Sequence, residues 1–101
     1  MEKEIIQKAI DEIDGRSWHP VEIPNQDGDE VHLALFDGEY HWHMHPDYDE
    51  LFEVISGKII IQVKNEVDII LNQGESTIIP KGVEHCPKSV VPSYVLMTEK
   101  R

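Results

Sequence analysis

The sequence predicts an all-β sandwich or barrel with one helix at its N-terminus. Three observations carry that expectation. Apolar residues at helical spacing occur only in residues 1–15. From Trp18 onward, short strand-like runs alternate with turn chemistry at intervals of roughly 8–12 residues. The alternative, an open α+β sheet, would lack enough helix to cover it.

The helix comes first. Ile5, Ile6, Ala9, Ile10 and Ile13 fall on one face, with charged and amide side chains on the other. Gly15 is its natural stop. Asn25-Gln26-Asp27-Gly28-Asp29 is a turn, and Asp37-Gly38 between strands 31–36 and 39–45 is a hairpin signal. The next strand, 50–56, is expected to turn at Gly57 into 58–63, which pairs back through residues 64–66 to strand 67–71. Asn72-Gln73-Gly74 turns into strand 75–79, Pro80-Lys81-Gly82 ends it, and strand 93–98 closes the chain. There is no internal repeat or linker, so residues 1–101 read as one domain, with the helix in 1–15 and the β structure in 18–98. The helix is expected to cover a sheet face or to join a dimer.

Composition excludes several function classes. The formal net charge is −11 and no Lys/Arg cluster offsets it, which disfavours nucleic acid and anionic membranes. One cysteine, Cys86, rules out an intrachain disulfide framework and fits a reducing compartment. The acidic N-terminus lacks the apolar core of a signal peptide, and no apolar run is long enough to span a bilayer. The expectation is a cytoplasmic protein.

The densest chemistry lies in Tyr40-His41-Trp42-His43-Met44-His45-Pro46-Asp47-Tyr48-Asp49-Glu50, which holds three of the six histidines. Residues two apart on a strand share a face with Cα atoms about 6.6–6.8 Å apart, so two neighbouring histidines can lean toward one point. His41 and His45 lie about 13 Å apart on an extended chain, too far for one ion. The pair is 41/43 or 43/45. A tight turn at Pro46-Asp47 with antiparallel pairing returns Glu50 opposite His45, which favours 43/45. Imidazole and carboxylate together form a mixed donor set for a transition metal.

A second ordered stretch lies downstream: Gly74, five residues, Pro80-Lys81-Gly82, two residues, His85. Taken with His43-x-His45, four residues, Glu50, six residues and Gly57, it resembles the two motifs of the cupin superfamily over residues 38–89. The resemblance is specific, with two histidines, a glutamate, two glycines, Pro-x-Gly and a third histidine at family spacing. Two positions depart. Four residues separate Gly38 from His43 where the pattern has five, and Ser89 stands where asparagine is usual.

The resemblance implies a small jelly-roll β-barrel holding one divalent transition metal, Fe, Mn, Ni, Co or Zn. It implies His43, His45, Glu50 and His85 as ligands, and His85 enters by resemblance alone. Four protein ligands on an octahedral ion leave positions for water, substrate or dioxygen. Tyr40, Phe52 and Val54 are expected to line the pocket. His41 is a candidate proton shuttle, since its charge can change near neutral pH. Trp42, Met44, Leu51 and Ile55 are expected to face outward and need cover from the helix or from a second copy, as in the homodimers common among small cupins. Cys86 is expected to point away from the metal. Trp18 and His32 carry no signal.

The function expected is a metal-dependent enzyme, of isomerase or dioxygenase type, acting on a small oxygenated metabolite by Lewis-acid activation. The alternative is a non-catalytic module that senses or binds a metal or small ligand.

Overall fold

A computed structural model describes residues 3–25 and 27–101. One helix, α1 (Lys3–Ile13), precedes six strands: β1 (Val21–Glu22), β2 (Glu30–Phe36), β3 (Asp49–Val63), β4 (Ile69–Asn72), β5 (Ser76–Ile79) and β6 (His85–Lys100). All strand pairs are antiparallel, in the order β1-β2-β6-β3-β4, with β5 on β3. No helix among the described residues is long and apolar enough to cross a membrane.

The helix stops as expected. Asp14 and Gly15 both take positive φ, and the Arg16 Nε donates to the Ile13 carbonyl at 2.9 Å, satisfying an end group that the helix leaves unpaired. Residues 1 and 2 of the expected helix lie outside the described residues, as does Gln26 of the turn at 25–29. In that turn the Asp27 amide donates to the Asn25 Oδ1 at 3.1 Å.

Two long strands, β3 and β6, organise everything else. The first half of β3 lies between β5 and the last part of β6; its second half lies between β4 and the first part of β6. Register shifts between Val54 and Ile59 mark the bend between the halves. Gly57 is therefore a bulge inside one strand and not the hairpin turn the sequence suggested. Its φ is +97, and a Cβ there would lie 2.9 Å from the Ser93 Cα. The buried Ser93 staples the bend, since its hydroxyl accepts from the Lys58 amide at 2.9 Å and donates to the Val91 carbonyl at 2.6 Å.

Side chains from both halves meet in one core: Phe52 and Val54 from the first, Ile59 and Ile61 from the second, with Ala34 and Phe36 from β2. The alternate residues of β2, Val31, Leu33 and Leu35, face the other way and pack under α1 against Ala9 and Ile13. Ile55 joins that helix-covered cluster, while Trp42 and Met44 remain exposed.

Two further expectations are corrected. Residues 39–45 are not a regular strand, and they form no hairpin with either β2 or the Glu50 strand. Each strand has two edges. Those of β2 are taken by β1 and β6, and Glu50 in β3 is paired to both Ile79 and Glu99. The chain after Gly38 instead continues along the first part of β6, through isolated bridges Glu39–Lys88 and His43–His85. Between them the Tyr40 amide donates to the Pro87 carbonyl at 3.0 Å, and Pro87 has no N–H to return. That missing donor interrupts the ladder. β6 itself runs from His85 rather than from 93, and it accommodates both Pro87 and Pro92.

Candidate metal centre

His43, His45, Glu50 and His85 converge. One ligand atom from each lies within 4.8 Å of all the others. They arrive from three parts of the chain. Glu50 is the second residue of β3, on the inward alternation with Phe52 and Val54, and is 8% exposed. His85 opens β6 and is 1% exposed. His43 and His85 exchange both backbone bonds, at 3.0 and 2.9 Å, which sets their rings side by side with centroids 4.4 Å apart. The Pro80-Lys81-Gly82 turn supplies the last fixings. Gly82 N donates to the His45 carbonyl at 2.8 Å, and Lys81 N donates to the Asp49 Oδ1 at 2.9 Å. The downstream turn thus holds the upstream histidine in place.

Each imidazole is oriented through its Nδ1. His43 Nδ1 donates to the His41 carbonyl at 2.9 Å, and His85 Nδ1 donates to the Val83 carbonyl at 2.9 Å. His45 Nδ1 lies 2.8 Å from the Tyr48 hydroxyl, whose ring stacks on the imidazole. The two carbonyls fix the proton on Nδ1 of His43 and of His85, which turns their Nε2 lone pairs inward, while the Tyr48 hydroxyl, able to donate or accept, holds the His45 ring through its Nδ1. Burial is the largest effect on His43 and, reinforced by His85 and His45, holds its pKa below 6.5, against the opposing pull of the His41 carbonyl and Glu50. Burial, with Glu99 and Glu50 nearby, pushes the Tyr48 hydroxyl up to about 12, so it stays protonated.

The fit to a cation follows. His45 Nε2, His85 Nε2 and Glu50 Oε1 are buried with no hydrogen-bond partner. Glu50 Oε1 sits 3.3 Å from His45 Nε2 and 3.5 Å from His85 Nε2. Those contacts are ion pairs only if an imidazole is protonated. With Nδ1 of His85 already carrying the proton, its Nε2 sets a lone pair against the carboxylate, which is unfavourable unless a cation lies between them. Three imidazoles and a carboxylate suit a borderline transition metal.

A cavity of about 150 Å³ opens beside this cluster. His43, His45 and Glu50 form one end, and Trp18, Ala34, Phe36, Tyr40, Phe52 and Met97 form much of the wall. Tyr40 and Phe52 are on it. Val54, two residues further along β3, lies in the core and is absent from the lining. His41 is exposed with its ring 3.8 Å from that of Tyr40, outside both the four-residue cluster and the cavity lining. Cys86 is buried, and burial raises its thiol pKa. Sequence reasoning missed Tyr48 and Trp18. Trp18 has φ +57, held by its amide bond to Leu35 and its indole bond to the Asp37 carbonyl, and no local pattern announces either role.

The two departures noted in the sequence touch each other. The Gly38 amide donates to the Ser89 hydroxyl at 2.9 Å, and the Ser89 amide donates to the Gly38 carbonyl at 2.9 Å. The shortened spacing and the serine belong to one junction, away from the cluster.

Comparison with known proteins agrees with this geometry. A family model described as cupin domain matches residues 28–98. An uncharacterized protein of Bacillus subtilis (strain 168) is 44% identical over 71 residues, covering 70% of this chain and 63% of that relative. The chain thus spans less than two-thirds of that relative's length. A cupin-2 domain containing protein from Shewanella frigidimarina superposes with a TM-score of 0.81 at 31% identity, covering 95% of this chain and 99% of the other. A protein from Neisseria meningitidis superposes with a TM-score of 0.84 at 25% identity, covering 100% and 98%.

Proposed function

The chain belongs to the cupin domain family, and from that premise we propose that it is a metal-dependent enzyme acting on a small oxygenated metabolite. His43, His45, Glu50 and His85 hold one divalent ion, drawn from Fe, Mn, Ni, Co and Zn. The observation that carries the reading is the convergence of three buried, unpartnered donor atoms at the end of a cavity. When bound, the ion supplies Lewis-acid activation of a substrate oxygen, common to isomerase-type and dioxygenase-type chemistry.

The remaining work falls to the chain's own residues. The His41 and Val83 carbonyls accept from Nδ1 of His43 and His85, and the Tyr48 hydroxyl bonds Nδ1 of His45, so all three rings are fixed. Phe36, Phe52 and Met97 exclude water from the substrate. Tyr40 borders the opening, with Val54 supporting Phe52 from the core. His41, exposed beside Tyr40, is the group we assign to proton exchange with solvent. The reading takes residues 1–101 as one domain whose bent strands close into a jelly-roll barrel. It assigns the protein to the cytoplasm without a nucleic-acid partner, and has a second copy cover Trp42 and Met44 in a homodimer. A monomer in light scattering at micromolar concentration would contradict that last point.

The apolar cavity wall favours one second reading, a non-catalytic module that senses a metal or small ligand. The test has two parts. Each of the five metals is added to wild-type protein and to His45→Ala, and the thermal midpoint is followed. A rise in wild type alone supports the site. The stabilised form is then screened against oxygenated metabolites. Saturable turnover supports the enzyme, and saturable binding without turnover supports the sensor.

A further inference from the structure

The cavity restricts what can occupy it. Its polar side chains cluster at one end, where His43, His45 and Glu50 stand. Trp18 and Tyr40 contribute the only other polar groups, and the Trp18 indole N–H is already given to the Asp37 carbonyl at 3.1 Å. Among the described residues, no Lys or Arg lines the cavity, so the ion alone would have to balance a phosphate's charge. An apolar space of about 150 Å³ takes a guest the size of one six-membered ring. Each hydroxyl buried against such a wall without a partner costs on the order of tenfold in affinity.

Resting on the metal-centre reading above, we propose that the ligand of this site is an unphosphorylated, ring-sized molecule. It carries its oxygen donors (hydroxyl, carbonyl or carboxylate) on one edge and has an otherwise apolar body. Sugar phosphates fit it poorly, because the wall would bury the hydroxyls around the sugar without partners. Ala34 is the position that makes the room. It lies on the inward alternation of β2 with Phe36, 1% exposed, and is the smallest side chain in a lining of aromatic rings, prolines and a methionine. A leucine there would project its side chain into the space the guest needs. Ala34 is not one of the four donor residues, so it sets size without holding the metal.

The test uses full-length protein loaded with Zn²⁺, the metal content being measured in each sample. Phenol and glucose 6-phosphate are the probes, followed by saturation-transfer NMR and titration calorimetry. Phenol is expected to bind at least roughly tenfold more tightly than glucose 6-phosphate. Ala34→Leu is expected to keep its zinc and lose phenol binding by at least about tenfold, with Ala34→Val intermediate. Zinc retained with glucose 6-phosphate preferred, or with phenol binding unchanged in Ala34→Leu, would overturn this inference and leave the metal centre standing. Failure of wild type to take up zinc, and then Fe, Mn, Ni and Co each in turn, would instead overturn the metal-centre reading, and the ligand class would fall with it. If Ala34→Leu does not fold, the wild-type probe preference and Ala34→Val decide the matter.

Discussion

Single atoms decide what this cluster can do. Four donors within 4.8 Å would repel or go unpaired in an ordinary core, and the carbonyl partners on Nδ1 of His43 and His85 make their inward lone pairs a fixed feature. Tyr48 is the one Nδ1 partner that comes from a side chain. Tyr48→Phe removes the hydroxyl while keeping the stacked ring. It should weaken metal affinity by about 10–100-fold, as measured by chelator competition, with circular dichroism unchanged. Affinity equal to wild type would show that the His45 ring is held by stacking and by the Gly82 bond alone. At this scale the sequence was legible for the grouping of His43, His45 and Glu50 but not for its cause: the expected hairpin is absent, and the bonds of His43 to His85 and of Gly82 to His45 set the histidines beside Glu50 instead. His85 needed the resemblance, since its partner across the chain, His43, lies 42 positions away. Tyr48 was not legible, because a tyrosine three residues from a histidine in a loop has no characteristic geometry.

Elements hold those atoms, and the bend in β3 is the element on which most depends. Gly57→Ala would push a Cβ into Ser93 while forcing alanine to φ +97. The expected loss is at least about 2 kcal/mol, or on the order of 10 °C in the thermal midpoint. A change within about 0.5 kcal/mol would mean the bend can relax without cost. The β4–β5 turn offers a test by pH. Glu75 accepts from the Asn72 amide at 2.7 Å and from its side chain at 3.0 Å, and these bonds hold its carboxyl below the ordinary value of 4.5. Its folded pKa is depressed. The contribution is therefore full above pH 4.5 and is lost as pH falls through the lower folded value. Denaturant melts from pH 6 to pH 3 should show a shallower acid limb in Glu75→Gln, and an identical limb would remove the turn from the account. Strand alternation and turn residues made most elements legible. What stayed hidden was pairing. A hairpin signal at Asp37-Gly38 says that a chain bends, not which strand it bends toward, and the edges it would need were claimed by other strands, among them the distant β6. Pro87 and Pro92 hid half of β6 for a related reason. Proline removes a donor, and only the tertiary arrangement shows whether that donor was needed.

At the scale of the molecule, the two faces of β2 divide the protein into a core that builds the site and a covered outer face that supports it. The helix is the cover, as its amphipathic spacing indicated. Ile13, fully buried under it, should cost about 2–5 kcal/mol when replaced by alanine, read from urea unfolding without metal. If the helix only rests on the sheet, the loss would be well under 1 kcal/mol. All of these elements serve one claim, that His43, His45, Glu50 and His85 bind a transition metal. Plasma mass spectrometry on untagged wild-type protein, beside His45→Ala and His85→Ala, tests it most directly. The account predicts close to one transition-metal ion per chain in wild type and its loss in both variants. Wild-type protein that holds no metal, even after incubation with Fe, Mn, Ni, Co and Zn, would contradict it.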